Sequence, residues 1–360
     1  MEIKESLFEN LISKTENITK TAGDLLNAQQ TQLAQMQAAL QAKQNSLTAE
    51  LLALSSDLNK NNLGEYATRI ESYVVQHLLK APYDAKQAFA THKALFAERH
   101  EMAVFLSENL SEIKQRVSLR VQNAAPVPSE KIKVFTYWDN DDKLPPIVAM
   151  CRESLKKHIP ADQFDLIILN SESYKEWTDF RKGEIKADIT QAHFTDILRA
   201  KLLEKWGGFW IDATDLLTRN FYEATQQIRE QEQFIFTYAG SRTGTWFIYS
   251  KPNNYVVSMW SEAISLWWDK KGYLTNYFML HDIIEMLYWV DTDYRNEWDK
   301  MLKTHPRNAL AVLRAYSQTT TPEAFQNLLQ DSFVHKLTYK YDSSKVKADS
   351  VLSQLLNHQP

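Results

Sequence analysis

Between Ala192 and Asp215 the chain sets polar groups at spacings that could do chemistry. Asp196 and Arg199 stand three residues apart within a run of helix formers, so the two fall on one helix face. Gly207-Gly208 closes that helix, and the short apolar run Phe209-Trp210-Ile211 then delivers Asp212 to a strand end. Such a trio suits a nucleotide diphosphate. One or two carboxylates hold a hard divalent cation that bridges the phosphates, while the Asp and Arg of the helix reach ribose or sugar hydroxyls. The plainer alternative, an ordinary surface ion pair beside an ordinary strand end, stays open on these residues alone.

The elements around this segment alternate strand and helix. Lys131–Trp138 predicts a strand running into the acidic loop Asp139–Asp142. Pro145-Pro146 opens a helix over Ile147–His158, and Phe164–Leu169 predicts a buried strand. This order implies a parallel α/β sheet, with ligands bound beyond the carboxyl ends of the strands. The chain before it has a different chemistry. All ten tryptophans lie at or after Trp138, and the first ~125 residues are rich in the helix formers Gln, Ala, Leu, Lys and Glu. Leu26, Leu33, Leu40, Leu47 and Leu54 recur every seventh residue, but Gln29, Lys43 and Glu50 interrupt the second apolar line of a zipper. A long helical hairpin or bundle and a self-associating coiled coil are equally open. Asn61, Asn62 and Gly64 stop the first helix, Pro82 starts or breaks another, and a last one ends near Val121. The expected organisation is therefore a helical domain over 1–125, a linker over 126–130, an α/β domain over 131–345 and a tail over 346–360.

Composition excludes several functions. A net charge of −4 gives no basic surplus for gripping a phosphate backbone, so a nucleic-acid binder is not expected. The single cysteine, Cys151, excludes an internal disulfide and a Cys-rich zinc site. The 8 glycines form neither a dinucleotide fingerprint nor a P-loop. No stretch approaches 18 consecutive apolar residues and the amino terminus has no signal-like apolar core, so a cytoplasmic protein is expected, with peripheral attachment to the inner face of the membrane left open.

The order Asp196, Arg199, Gly207, Gly208, Phe209, Trp210, Asp212, Ala213, Thr214 resembles the sugar-binding region of the capsular polysaccharide synthesis family. More distantly it is similar to DxD glycosyltransferases, the family 32 enzymes and the clostridial glucosylating toxins among them. Phe135–Trp138 with Pro145-Pro146 and the Ser154–Lys157 helix looks like the family's first strand and helix. Val334–Thr338 looks like its closing segment, so the likeness covers about 131–340. The resemblance implies a GT-A fold, a Rossmann-like mixed sheet, and a glycosyltransferase moving a sugar from a nucleotide donor, a UDP-sugar above all, to a surface glycan or lipid-linked acceptor. It also implies a Mn²⁺ or Mg²⁺ cofactor and retention of the anomeric configuration. Trp138 would stack on the base with Tyr137 also in the nucleotide-sugar site, Asp196 and Arg199 would meet the ribose or donor sugar, and Asp212 would hold the metal or its water shell, directly or through the ribose.

Thr214 departs from the generic pattern, since it offers a neutral oxygen where a second Asp is usual. Asp215 is then a further candidate ligand and catalytic carboxylate, provided that the chain turns after Asp212. Trp246 could line the acceptor cleft or simply pack the core. His281 or Asp282 could complete the metal's ligands or touch the acceptor, against the alternative of a satisfied core histidine. His335 and Lys336 could bring positive charge to the departing diphosphate or belong to a plain edge strand. Homo-oligomerisation through the N-terminal helices is a further expectation. The competing function is a non-catalytic scaffold whose degenerate site has lost activity.

Overall fold

A computed structural model describes residues 2–60, 99–124, 130–185, 189–238 and 242–358. The chain divides into two compact units, Met1–Leu54 and Ser55–Pro360. The expected helix stops at 61–64, Pro82 and most of the linker, 126–129, lie outside the described residues.

Helix α1, Glu2–Lys60, is unbroken. The five heptad leucines are all exposed on it. The interrupted second apolar line explains why the sequence predicted only half a seam.

The second unit is built on a five-stranded mixed sheet in the order β2-β1-β3-β6-β5. Strands β1 (Ile132–Tyr137), β2 (Phe164–Leu169) and β3 (Gly208–Ile211) run parallel. β6 (Thr243–Ser250) runs antiparallel to both β3 and β5 (Gln233–Thr237). β3, β5 and β6 are buried throughout, the polar Gln233, Thr243, Thr245 and Ser250 included. One core gathers Val134, Phe164, Phe209, Phe234 and Phe247 from the sheet with Leu155 of helix α3 (Pro146–His158).

Helix α4, Gln191–Trp206, packs on β1, β3 and β6 and presents Asp196 and Arg199 to the strand ends. α5 (Tyr255–Lys270) packs on α4, and α6 (Met279–Val290) packs on α5. Against α5 and α6 lies α2, His100–Asn123, burying Met102, Phe105, Leu106, Ile113 and Val117. The division at Leu54/Ser55 leaves α2 in one unit with the sheet, its buried stripe packed on α5 and α6.

A two-stranded ribbon pairs β4 (Asp215–Leu217) with β7 (Val334–Lys336), with Asp215 opposite Lys336. Below it a second core joins Ile147, Cys151, Leu216 and Leu337 to Val351, Leu352 and Leu355 of α7, Val351–Leu356. The segment read as a tail over 346–360 therefore contributes core. Among the described residues no helix is long and apolar enough to cross a membrane.

Candidate functional site

Gly207 and Gly208 fix where α4 hands over to β3. Their φ angles are +63° and +84°, in the region that disfavours any residue with a Cβ. A Cβ on Gly208 would stand 2.1 Å from the Lys133 carbonyl oxygen, so the close approach of β3 to β1 needs a glycine there. β3 then ends at Ile211, and Asp212 turns away, its N–H donating to the Trp246 carbonyl at 2.8 Å. The next turn is closed by the Asp215 N–H on the Asp212 carbonyl at 2.9 Å. The chain does turn after Asp212, as a role for Asp215 required.

Both oxygens of Asp212 are engaged. Oδ1 accepts from the Trp210 indole at 2.8 Å and from Arg199 at 3.3 Å, while Oδ2 accepts from Lys336 Nζ at 2.6 Å. The Lys336 ammonium also donates to Thr214 Oγ1 at 2.9 Å and stands 3.4 Å from Asp215 Oδ1. Register explains this arrangement, since Lys336 lies opposite Asp215 across the ribbon. Burial works against ionised Asp212, but Lys336 and Arg199 outweigh it and hold its carboxyl below the usual range. Asp215 is fully buried, and burial pushes its carboxyl well up despite Lys336.

Arg199, buried to 6% exposure, anchors the other side. It donates to the carbonyl and hydroxyl oxygens of Thr245, both at 2.8 Å, and pairs with Asp196 at 3.1 Å. Its guanidinium lies 5.2 Å from the Trp210 ring centre. Both terminal nitrogens are so engaged, Nε is buried without a hydrogen-bond partner among the described residues, and Arg199 thus sits between Asp196 and Asp212. Burial raises the Asp196 carboxyl to about 6, with Arg199 opposing and Asp212 adding to the rise.

These groups line a cleft of about 1770 Å³ at the carboxyl ends of β1 and β3, together with Tyr137, Trp138, Trp246, His281 and Asp282. Trp138 meets Tyr339 edge-on at 5.0 Å. The Tyr137 hydroxyl donates to Asp139 at 2.9 Å and accepts from Gln191 at 2.8 Å. Trp246 is 7% exposed and stacks on Phe236 at 4.8 Å, so the packing role dominates even where its edge reaches the cleft. Asp282 accepts from Arg99 at 2.9 Å and from Asn276 at 2.7 Å.

One expected residue is not brought to this centre. His335 is buried on the other side of β7 from Lys336, with Nε2 2.9 Å from the Leu329 carbonyl, because successive strand residues face opposite ways. It cannot meet a diphosphate in the cleft. His281 faces Thr243 and Thr245 at 3.3 and 3.4 Å, and burial with the nearby Arg199 lowers its pKa to about 4.

Of the expected metal ligands Asp212, Thr214, Asp215 and His281, the last faces Thr243 and Thr245 instead of the three oxygens. The first three converge on the Lys336 ammonium, and among the described residues no three His, Cys, Asp or Glu side chains group to hold a metal ion. Sequence reasoning missed Arg99, which pairs with Asp282 and Glu285 at 2.9 Å each from 183 and 186 positions away and leaves no local signal. It also missed Tyr339 and Lys340, which follow Lys336 in the closing segment and could have been found there.

A family model described as capsular polysaccharide synthesis protein matches residues 83–355. The chain belongs to the capsular polysaccharide synthesis protein family. The matched span reaches from before α2 to α7, and so takes in the whole cleft as well as helix α2. Among solved structures, one described as "PaToxG Glycosyltransferase" is 14% identical, with 69% of this chain and 93% of that chain covered at a TM-score of 0.30. A search of curated proteins finds no match.

Proposed function

We propose that this member of the capsular polysaccharide synthesis protein family is a glycosyltransferase of GT-A type. It would move a sugar from a nucleotide donor, a UDP-sugar first among candidates, to a glycan acceptor. The observation that carries the reading is the cleft itself. At about 1770 Å³ it exceeds the ~300–1,000 Å³ of ordinary ligand pockets, giving room for donor and acceptor together. Its polar floor gathers Asp196, Arg199, Asp212 and Lys336 at strand carboxyl ends, where α/β sheets bind ligands.

Trp138, half-buried at the mouth, offers an aromatic face for the base, and Asp196 an acceptor for ribose or sugar hydroxyls. Arg242, Arg307, Arg314 and Lys340 also line the cleft, and among the described residues none of the four has a carboxylate partner, which suits an anionic donor. In the transfer the acceptor hydroxyl oxygen bonds the sugar C1 while the C1–oxygen bond to the diphosphate breaks, and positive charge stabilises the leaving group.

The test is nucleotide release from a panel of nucleotide sugars by the full chain and by Asp212→Asn. Release from at least one donor is expected, reduced by about 10²-fold or more in the variant while the fold persists, because the amide no longer anchors Lys336 and Arg199. Equal release by the two proteins would remove this strand end from the active site. No release from any donor would favour a scaffold.

A further inference from the structure

We propose that the Lys336 ammonium is the resident cation of this site and takes the place of a divalent metal in neutralising the donor's diphosphate. The inference rests on the nucleotide-donor reading above.

Its ground is the donor set. A hard cation at this strand end would need the oxygens of Asp212, Thr214 and Asp215, and those are the oxygens around Lys336 Nζ, at 2.6, 2.9 and 3.4 Å. The remaining Asp212 oxygen is taken by Trp210 and Arg199. A magnesium ion demands near-octahedral oxygens at ~2.0–2.1 Å, and placing one here would set a double charge beside the ammonium. The backbone that carries the lysine is held in place. Its backbone N–H donates to the Ala309 carbonyl at 2.9 Å, its strand is paired with β4, and the next N–H, of Leu337, donates to Thr214 at 2.9 Å.

The ammonium nonetheless keeps a face toward the ligand. Lys336 lines the cleft and its side chain is 19% exposed, whereas Asp215 beneath it is fully buried. One side of the charge is therefore held by protein oxygens and the other is free for a phosphate oxygen. During transfer the C1–oxygen bond breaks with its electron pair going to the phosphate oxygen, which Lys336 meets. The acceptor oxygen bonds C1, and its proton ends in solvent. Asp212 and Asp215 act in this scheme as positioning residues that hold the lysine.

The experiment measures UDP and GDP binding to the full chain by calorimetry, in EDTA and in excess Mn²⁺, with manganese binding followed separately by electron paramagnetic resonance. The expected result is a preferred nucleotide whose affinity differs less than about threefold between EDTA and Mn²⁺, with no manganese bound by the protein alone. Lys336→Gln should lose at least tenfold in affinity and Lys336→Arg should recover part of it, with thermal melts confirming that both fold. Binding that needs Mn²⁺, lost more than tenfold in EDTA and restored by the metal, would overturn the role of Lys336 while leaving the nucleotide site in place. Saturable manganese binding by the free chain that Asp212→Asn removes would overturn it equally, without recourse to the lysine variants. Failure of both nucleotides to bind under either condition would overturn the donor reading, and the inference with it.

Discussion

Asp196 and Asp212 share one guanidinium, Arg199, at 3.1 and 3.3 Å, yet their acidities move in opposite directions. For Asp196 burial wins and the carboxyl titrates at about 6. For Asp212 the added ammonium of Lys336 overcomes burial and keeps the group ionised. Between pH 7 and 5, then, Asp196 takes up a proton while Asp212 does not. On the proposed reading, in which Asp196 accepts donor hydroxyls, kcat/KM should fall on the acid side with a midpoint near 6, about tenfold per pH unit below it. Asp196→Asn should lower the plateau and abolish that limb. The sign of the linkage separates this from acid unfolding. A carboxyl raised above its ordinary ~3.9 binds its proton more tightly in the folded chain, so its own contribution to stability grows as pH falls from 6 to 4. Loss of activity in that window with an undiminished melting temperature is the expected pair of results, and a limb that survives in Asp196→Asn would assign the titration elsewhere. Asp196, Arg199 and Asp212 were legible in the sequence because they are close along the chain. Lys336 was singled out too, but its pairing with Asp212, 124 residues distant, depends on a register that no local pattern contains.

The elements that carry these residues follow from local rules, and the tightest of those rules sits at Gly208. Its φ of +84° and the 2.1 Å that would separate a Cβ from the Lys133 carbonyl oxygen mean that alanine there strains the backbone and pushes β3 off β1. Positive-φ strain costs ~1–3 kcal/mol and overpacking a similar ~1–3 kcal/mol, so Gly208→Ala should destabilise by roughly 2–6 kcal/mol in urea unfolding. Gly23 offers the control. It lies in α1 with nothing within 4 Å of its Cβ position, and alanine there should stabilise by up to ~1 kcal/mol. A Gly208→Ala midpoint equal to wild type would mean that the strand pair yields without cost and that the glycine serves only as a helix stop. Strand and helix positions were largely readable, from Ile132–Tyr137 through Pro146–His158 to Val334–Lys336. What the pattern of β7 could also have settled is the fate of His335, since adjacent strand residues cannot both face one cleft.

At the scale of the whole molecule, α2 decides what counts as the folded unit around the cleft. Its sequence reads as helix and its buried stripe is apolar, but nothing local says which surface it covers. The structure places it on α5 and α6, with Phe105 edge-on to Trp267 at 4.9 Å. Five large apolar side chains, Met102, Phe105, Leu106, Ile113 and Val117, are 4% exposed or less. At ~1.5–3 kcal/mol each they amount to about 7–15 kcal/mol, as much as the ~5–15 kcal/mol by which a whole domain is stable. Ions add to this. Arg120 pairs with Glu204 at 2.8 Å and with Glu262, and Lys114 pairs with Asp291 at 3.0 Å, so removing α2 strands three buried carboxylates. A chain cut to begin at Glu130, which the Pro-containing 126–128 invites, should therefore aggregate or lack a cooperative melt. One that begins at Ser55 should melt within a few degrees of the full chain and bind nucleotide as tightly, since the division at Leu54/Ser55 leaves this packing whole. Expression of both chains, followed by calorimetric melting, checks the pair. A soluble, cooperatively melting chain from Glu130 would make α2 an accessory to the cleft, and would return the domain boundary to the position that the sequence first suggested.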